Sequence, residues 1–170
     1  MVCISKKDIA LIIQSHIPDI DVQGDLTASN KLKALKASVL NMRRFFPDSL
    51  IIVSGHGVLR PDVEDLADHL MWSDLAPLDI NGLVIDQPAQ YKYVLQAIEL
   101  AILEYSPKYI FKCRGDGILM NPYLFLKHIP SSGLNLTQQT RLDRPYVGDL
   151  FMLGHTKTIH DIWKNKYGVL

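Results

Sequence analysis

Tyr109-Ile110-Phe111-Lys112-Cys113-Arg114-Gly115-Asp116-Gly117 opens as an apolar strand and ends in a cation, an anion and two glycines. Packing in a sheet accounts for Tyr109 to Phe111 and leaves that ending unexplained. Side chains alternate along a strand, so Lys112, Arg114 and Asp116 fall on one face. The glycines on either side of Asp116 let backbone or ligand come close. Asp116 is therefore read as a metal- or phosphate-site residue, with Arg114 as its charge partner. A surface ion pair at a strand end is the plainer reading of the same residues, and the neighbouring segments have to decide between the two.

Immediately upstream, from Gln90, Tyr91, Val94, Leu95, Ile98, Ile102 and Tyr105 recur at helical spacing until Ser106-Pro107 stops the run. Before that helix, Leu75 to Ala89 contains Pro77, Gly82 and Pro88 without a steady period and reads as a long connection. Ile9-Ala10-Leu11-Ile12-Ile13 is an unbroken apolar run, expected of a strand covered on both faces and stopping at Gln14-Ser15-His16. Leu32, Leu35, Val39, Met42 and Phe46 mark a helix ended by Pro47, and Leu50 to Val53 is a second buried strand leading into Ser54-Gly55-His56-Gly57. Pro61 suits the start of a short helix carrying Val63 and Leu66, and His69 to Trp72 reads as a third strand ending at Asp74. Downstream of Gly117 the pattern gives a short Tyr123–His128 helix, a polar loop from Ser131 to Tyr146, a strand over Val147 to Leu153 and a helix from Thr156 to Lys164.

Strand and helix in alternation define an α/β chain: a mostly parallel central sheet with helices on both faces, read as one domain over residues 1–170. In such sheets ligands bind beyond the carboxyl ends of the strands. Those ends here are polar throughout: Gln14-Ser15-His16, Ser54-Gly55-His56, Asp74 and Arg114-Gly115-Asp116.

Composition narrows the partners. Lys and Arg number 18 against 18 Asp and Glu, so there is no basic excess to hold a polyanion, and nucleic acid is not expected as a partner. The cysteines Cys3 and Cys113 stand far apart and form no metal-ligand pair or disulfide framework, as suits a reducing compartment. Ile9 to Ile13 is too short for the apolar part of a secretory signal, and no run approaches a membrane span. The expectation is a cytoplasmic protein, with work at the inner face of a membrane left open. Gly55-x-Gly57-x-x-Arg60 follows a strand but lacks the third glycine of a dinucleotide fingerprint.

Several of these parts together resemble a known family. Ile51-Ile52-Val53-Ser54, Gln90 with the helix behind it, Lys112-x-Arg114-x-Asp116, and Asp149-x-Phe151-x-x-Gly154 leading to a helix that ends in Trp163 look like the WavE-type glycosyltransferases of lipopolysaccharide synthesis. The resemblance implies a GT-A-like, Rossmann-type three-layer sandwich. It also implies a nucleotide-sugar donor and a glycan or glycolipid acceptor, with peripheral membrane association compatible with the latter. A divalent cation, Mn²⁺ or Mg²⁺, would bridge the donor's diphosphate, held by Asp116 and by Asp149 if the last strand runs antiparallel beside the Tyr109 strand. Asp149 is also the candidate catalytic residue, and His155 a weaker candidate ligand. Gln14, Ser15, His16, Ser54, Asp74, Gln90, Lys112 and Arg114 would meet the nucleotide-sugar. The charge logic suits the residues: a diphosphate leaving as an anion is stabilised by a carboxylate-held cation and by a fixed guanidinium. Arg114 stands where a doubly acidic motif would carry its first carboxylate. The second reading is a non-catalytic α/β module that binds a nucleotide or phosphorylated metabolite. Oligomeric state, and the identity of nucleotide, sugar and acceptor, have no readable code in the chain.

Overall fold

The computed structural model describes residues 8–17, 28–57, 60–74, 86–118, 134–140 and 145–167, with side chains for these apart from 86–90, 134–140, 145–150 and 166–167. Its elements, in chain order, are β1 (Ile9–Ile17), α1 (Ala28–Phe45), β2 (Leu50–Gly57), β3 (His69–Ser73), α2 (Asp86–Tyr105), β4 (Tyr109–Arg114), β5 (Leu134–Thr140), β6 (Pro145–His155) and α3 (Thr156–Tyr167). The strands form one six-stranded sheet in the order β3-β2-β1-β4-β6-β5. β3, β2, β1 and β4 run parallel to one another. β6 is antiparallel to β4, and β5 is antiparallel to β6. This is the α/β, mostly parallel architecture expected, with helices on both faces.

β1 is central because its sequence leaves it no other place. Ile9, Leu11 and Ile13 are buried against α1 together with Ile51, Val53, Phe111, Cys113, Leu35, Val39 and Met42. Ala10 and Ile12 are buried on the opposite face with Ile52, Ile110, Val94, Ile98, Ile159 and Trp163, under α2 and α3. A strand apolar on both faces is stable only between two helical layers. Removing each such side chain from water is worth roughly 1.5–3 kcal/mol, so an edge position for β1 would forfeit most of what holds the domain together.

The element ends follow local chemistry. α1 stops just before Pro47, with Arg43 and Arg44 in its last turn, where cations complement the helix dipole. α2 ends at Ser106, whose φ of 49° is left-handed, and the Ser106 hydroxyl donates to the Ile102 carbonyl at 3.1 Å. α2 begins at Asp86, earlier than the Gln90 start read from the periodicity. Pro88 then lies in its first turn, where a missing N–H leaves no helical bond unmade.

Three other readings of the sequence are corrected, and a fourth falls outside the described residues. β1 and β2 run on through their polar endings to Ile17 and Gly57 rather than stopping at Ile13 and Val53. Backbone pairing continues there because both neighbours supply partners, whatever the side chains are. The helix expected after Pro61 is a single turn, closed by Ala67 N–H donating to the Val63 carbonyl at 2.9 Å. The polar Ser131–Tyr146 segment contains a strand, β5, at the sheet edge. The Tyr123–His128 helix lies outside the described residues.

At the amino ends of the strands, Arg43 ties α1 to β2 and β3. Its guanidinium donates to the carbonyls of Pro47 (3.1 Å), Ser49 (2.9 Å) and Leu66 (3.1 and 2.9 Å) and to the Asp68 carboxylate (2.9 Å). That accounts for all of the N–H donors an arginine has. Asp68 Oδ2 also accepts from Ile51 N–H at 2.7 Å, fixing the start of β2. Arg43→Met is expected to lower the free energy of unfolding by roughly 2–4 kcal/mol, because several buried carbonyls lose their donor together. Lys36→Met, which removes only an exposed 3.4 Å pair with Asp62, should change it by less than about 1 kcal/mol. Urea unfolding of the two variants checks this, and equal losses would show that Arg43 is not the tie described.

Candidate functional site

The register of the parallel strands decides which polar residues meet. Gln14 of β1 lies opposite Ser54 of β2 on one side and Arg114 of β4 on the other. His16 lies opposite His56, and His56 in turn opposite Ser73 of β3. The carboxyl ends of β2, β1 and β4 thus form one polar crest. Strand alternation carries Gln14, His16, Ser54 and His56 onto the face that α2 covers, continuing the row begun by Ala10, Ile12 and Ile52.

On that crest the imidazoles of His16 and His56 stack with centroids 4.5 Å apart and planes 21° apart, and the His56 ring lies 5.6 Å from Tyr93 of α2. His56 and Ser54 are fully buried and Gln14 nearly so. The Ser54 hydroxyl has no hydrogen-bond partner among the described residues. His56 was noted in the sequence only as a polar residue following a strand and was not assigned to the nucleotide-sugar site. Its place two residues after Ser54 and four after Ile52 would have put it on the same covered face, had β2 been extended past Val53.

The turn after β4 is built by backbone bonds. Gly115 N–H donates to the Gln14 carbonyl at 2.6 Å, and Gly117 N–H donates to the Arg114 carbonyl at 3.1 Å. Within it the Arg114 guanidinium grips the Asp116 carboxylate with two bonds, Nε to Oδ1 at 3.0 Å and Nη2 to Oδ2 at 2.5 Å. The side chains are 48% and 40% exposed respectively. The expected charge partnership is present, and it lies at the site edge rather than inside the core.

The other expected site residues divide. Ser15 is half-buried and packs against Gly115 across the crest. Lys112 shares the Arg114 face of β4 but is fully buried one turn of the pleat lower, its ammonium 5.2 Å from the centre of the Trp163 ring of α3. A cation over an indole face is favourably placed. Asp74 follows β3 at the outer edge and is exposed. Three strand spacings, about 14 Å, separate its strand from β4, so it does not join Asp116. Gln90 lies in the first turns of α2, which descends over the same face from the carboxyl end.

Asp149 is placed by its backbone. β6 is antiparallel to β4, and Phe151 lies opposite Cys113. Asp149 lies within β6, two residues before the Phe151–Cys113 pair and inside the irregularity where pairing with β5 passes from Met152 to Gly148. His155 is at the other end: it pairs with Tyr109 and its ring lies 4.8 Å from the Tyr109 ring. The expectation that it might join the acidic residues fails, because an antiparallel strand carries its two ends to opposite edges of the sheet.

Asp116 offers the oxygen donor that Mg²⁺ and Mn²⁺ take. Among the described residues no group of three or more His, Cys, Asp or Glu side chains gathers for a metal, and both Asp116 oxygens are held by Arg114. Asp116 alone, with both oxygens held by Arg114, does not make up a cation site among the described residues. Cys113, beneath the turn, is inert: burial pushes its thiol up to about 12, with the Asp116 charge adding to the rise and Lys112 opposing it. A shallow cleft of about 330 Å³ at the amino ends of the strands, lined by Arg43, Ser49, Asp68 and Tyr105, has no free Arg43 donor to offer a ligand.

No protein-family model and no curated protein sequence matches the chain. Solved structures do. HddC from Yersinia pseudotuberculosis superposes with a TM-score of 0.50 at 13% identity, over 90% of this chain and 79% of that one. A glycosyltransferase involved in glycosylation of the major capsid of PBCV-1 gives 0.49 at 12% identity, over 95% of this chain and 65% of that one. The 4-diphosphocytidyl-2C-methyl-D-erythritol synthase of Anaerococcus prevotii gives 0.44 at 12% identity, over 96% and 76%. At 13% identity the likeness to HddC is one of fold alone, an α/β sandwich on a mostly parallel sheet. Among the described residues no helix is long and apolar enough to cross a membrane.

Two glycines hold the crest together, and they should tolerate substitution unequally. A Cβ on Gly55 would sit 1.9 Å from the Ser15 carbonyl oxygen, whereas one on Gly115 would first meet the Leu35 Cδ1 at 2.7 Å. Backbone cannot yield without parting β1 from β2, but the end of a leucine can rotate. Gly55→Ala should therefore cost more than about 3 kcal/mol and Gly115→Ala only about 1–2 kcal/mol. Denaturant midpoints of the two variants would contradict the described register if their losses were equal or reversed.

Proposed function

We propose that the protein is a nucleotide-sugar-dependent glycosyltransferase acting on a glycan or glycolipid acceptor, of the kind its motifs resemble in the WavE-type family. The observation that carries the proposal is the crest: the carboxyl ends of three adjacent parallel strands present Gln14, His16, Ser54 and the Arg114–Asp116 pair in one place, where open α/β sheets take their ligands. The α/β fold supports it, since it gathers the polar ends of these parallel strands at one edge of the sheet.

In the proposed reaction the bond between the sugar's anomeric carbon and the donor's diphosphate oxygen breaks, and a bond to an acceptor hydroxyl oxygen forms. The nucleoside diphosphate leaves with the bonding electrons, and the hydroxyl proton passes to a base. Gln14, Ser15, His16 and Ser54 would hold the nucleotide, with Gln90 at the opening of α2 facing phosphate or sugar. Arg114 would meet the diphosphate with the planar fork that suits phosphate as well as carboxylate. Asp116, with Asp149 from β6, would hold Mg²⁺ or Mn²⁺, which when bound neutralises charge developing on the leaving diphosphate. Asp149 is also the carboxylate we assign to the acceptor proton. Lys112, buried under Trp163, would act through the field it adds beneath the turn.

A non-catalytic module binding a nucleotide or phosphorylated metabolite is the second reading, favoured by the closed Arg114–Asp116 pair. Incubation with UDP-, GDP-, CMP- and dTDP-sugars, with and without Mn²⁺, separates the two. The transferase reading expects release of nucleotide from one donor, and a loss of at least about 100-fold in that rate for Asp116→Asn. Because the Asp116 side chain is 40% exposed, its thermal midpoint should stay close to that of the parent. Stabilisation by a nucleotide-sugar without turnover would support the module instead.

A further inference from the structure

We infer that His56 is a positioning residue: its buried ring holds the imidazole of His16 in one plane at the carboxyl crest, so that His16 meets a nucleoside diphosphate already oriented. The inference rests on the transferase reading for the ligand, whereas the hold of His56 on His16 is carried by the two strands themselves.

Register brings the rings together. His16 and His56 are directly opposite in the parallel β1–β2 pair, one step beyond Gln14 and Ser54 on the same face. Their rings stack with centroids 4.5 Å apart and planes 21° apart, within the spacing at which aromatic pairs add to plain burial. The Tyr93 ring of α2 lies 5.6 Å from His56 at 36°. His56 thus has one ring from β1 and one from α2 against it.

The backbone under the pair is held at two points. Gly55 and Gly57 flank His56, and a Cβ on either would collide with a β1 carbonyl oxygen, that of Ser15 or that of Ile17. β2 therefore presses on β1 immediately before and immediately after His56. Gly57 also has a φ of 154°, a conformation that other residues rarely adopt. The spacing of the two histidines is set by this close approach as well as by their rings.

Burial separates the two roles. His56 is fully buried, so it acts through its neighbour. His16 is half-buried and stands two residues beyond Gln14, the last β1 residue to pair with β4. It therefore projects past the end of β4, on the side of the turn that carries the Arg114–Asp116 pair. An imidazole that rotates must be ordered when a ligand arrives, and that ordering weakens binding; a stacked one is ordered beforehand. Fixing one such side chain in advance corresponds to roughly 2- to 10-fold in affinity.

Proton NMR of the full chain at one fixed pH compares His56→Phe, which keeps a planar ring, with His56→Leu, which keeps apolar volume without one. The His16 ring protons should stay displaced by the neighbouring ring in His56→Phe and return toward the positions of an unstacked histidine in His56→Leu. Dissociation constants for UDP, GDP, CDP and dTDP should remain within about 2-fold of the parent in His56→Phe and weaken roughly 5-fold in His56→Leu for the nucleotide that binds. His16 protons unmoved in His56→Leu would overturn the inference. So would equal affinity in the two variants, or losses of affinity that only follow their losses of stability. Should His56→Leu fail to fold, Tyr93→Leu, which removes the second ring against His56 at a half-buried position, should move the same protons in the same direction, and no movement would overturn the hold. His16 protons that respond as expected while no nucleoside diphosphate binds the parent would support the hold of His56 on His16 and count against the transferase reading alone.

Discussion

β1 is the constraint on which the rest of the molecule depends. Its run of apolar side chains on both faces forces it to the middle of the sheet, between α1 and the α2–α3 layer. Parallel pairing to β2 and β4 then follows from right-handed crossovers that return each chain segment to the same edge. The site is a consequence of that pairing. Once Gln14 is opposite both Ser54 and Arg114, the polar endings of three strands are adjacent, and no separate interaction is needed to assemble them. A register slip of one residue would turn His16 and Gln14 to the α1 side and bury them against Leu35 and Val39.

Much of this was legible in the chain. The helices over Leu32–Phe46, Gln90–Tyr105 and Thr156–Lys164 showed their spacing, and the apolar runs at Ile9 and Leu50 showed double burial. The antiparallel placement of the last strand beside β4 was foreseen only as a condition. What periodicity could not show was the continuation of β1 and β2 into Gln14–Ile17 and Ser54–Gly57. Side-chain hydrophobicity ends there, but backbone hydrogen bonding between neighbours does not. The same blindness hid β5, whose Asn, Thr and Gln residues satisfy an edge position and carry no apolar signature.

The site residues were legible by type more than by place. Arg114 and Asp116 meet as their spacing suggested, whereas Asp74 and His155 are carried off by strand order and strand direction, which no local pattern records. Lys112 illustrates a third case: alternation gave its face correctly, but its depth under Trp163 depends on where α3 lands. His56 was marked only as a polar residue following a strand, because the apolar run ends at Val53. It is instead a buried ring stacked on His16, and with Ser54 it makes the α2 side of the crest as polar as the β4 side.

The two ends of the sheet use arginine in contrasting ways. Arg43 spends every donor on carbonyls and Asp68 within the protein, which suits a structural tie. Arg114 spends two on an exposed carboxylate at the carboxyl crest. The central claim, that the carboxyl crest and not the amino end of the sheet receives a nucleoside diphosphate, is tested most directly by amide NMR shifts during titration with UDP, GDP, CDP and dTDP. The account predicts that at least one of these moves the amides of Gln14, Gly55, Gly115 and Gly117 while those of Ser49, Ile51 and Asp68 stay in place. Shifts confined to Ser49, Ile51 and Asp68, or no shift with any of the four, would contradict it.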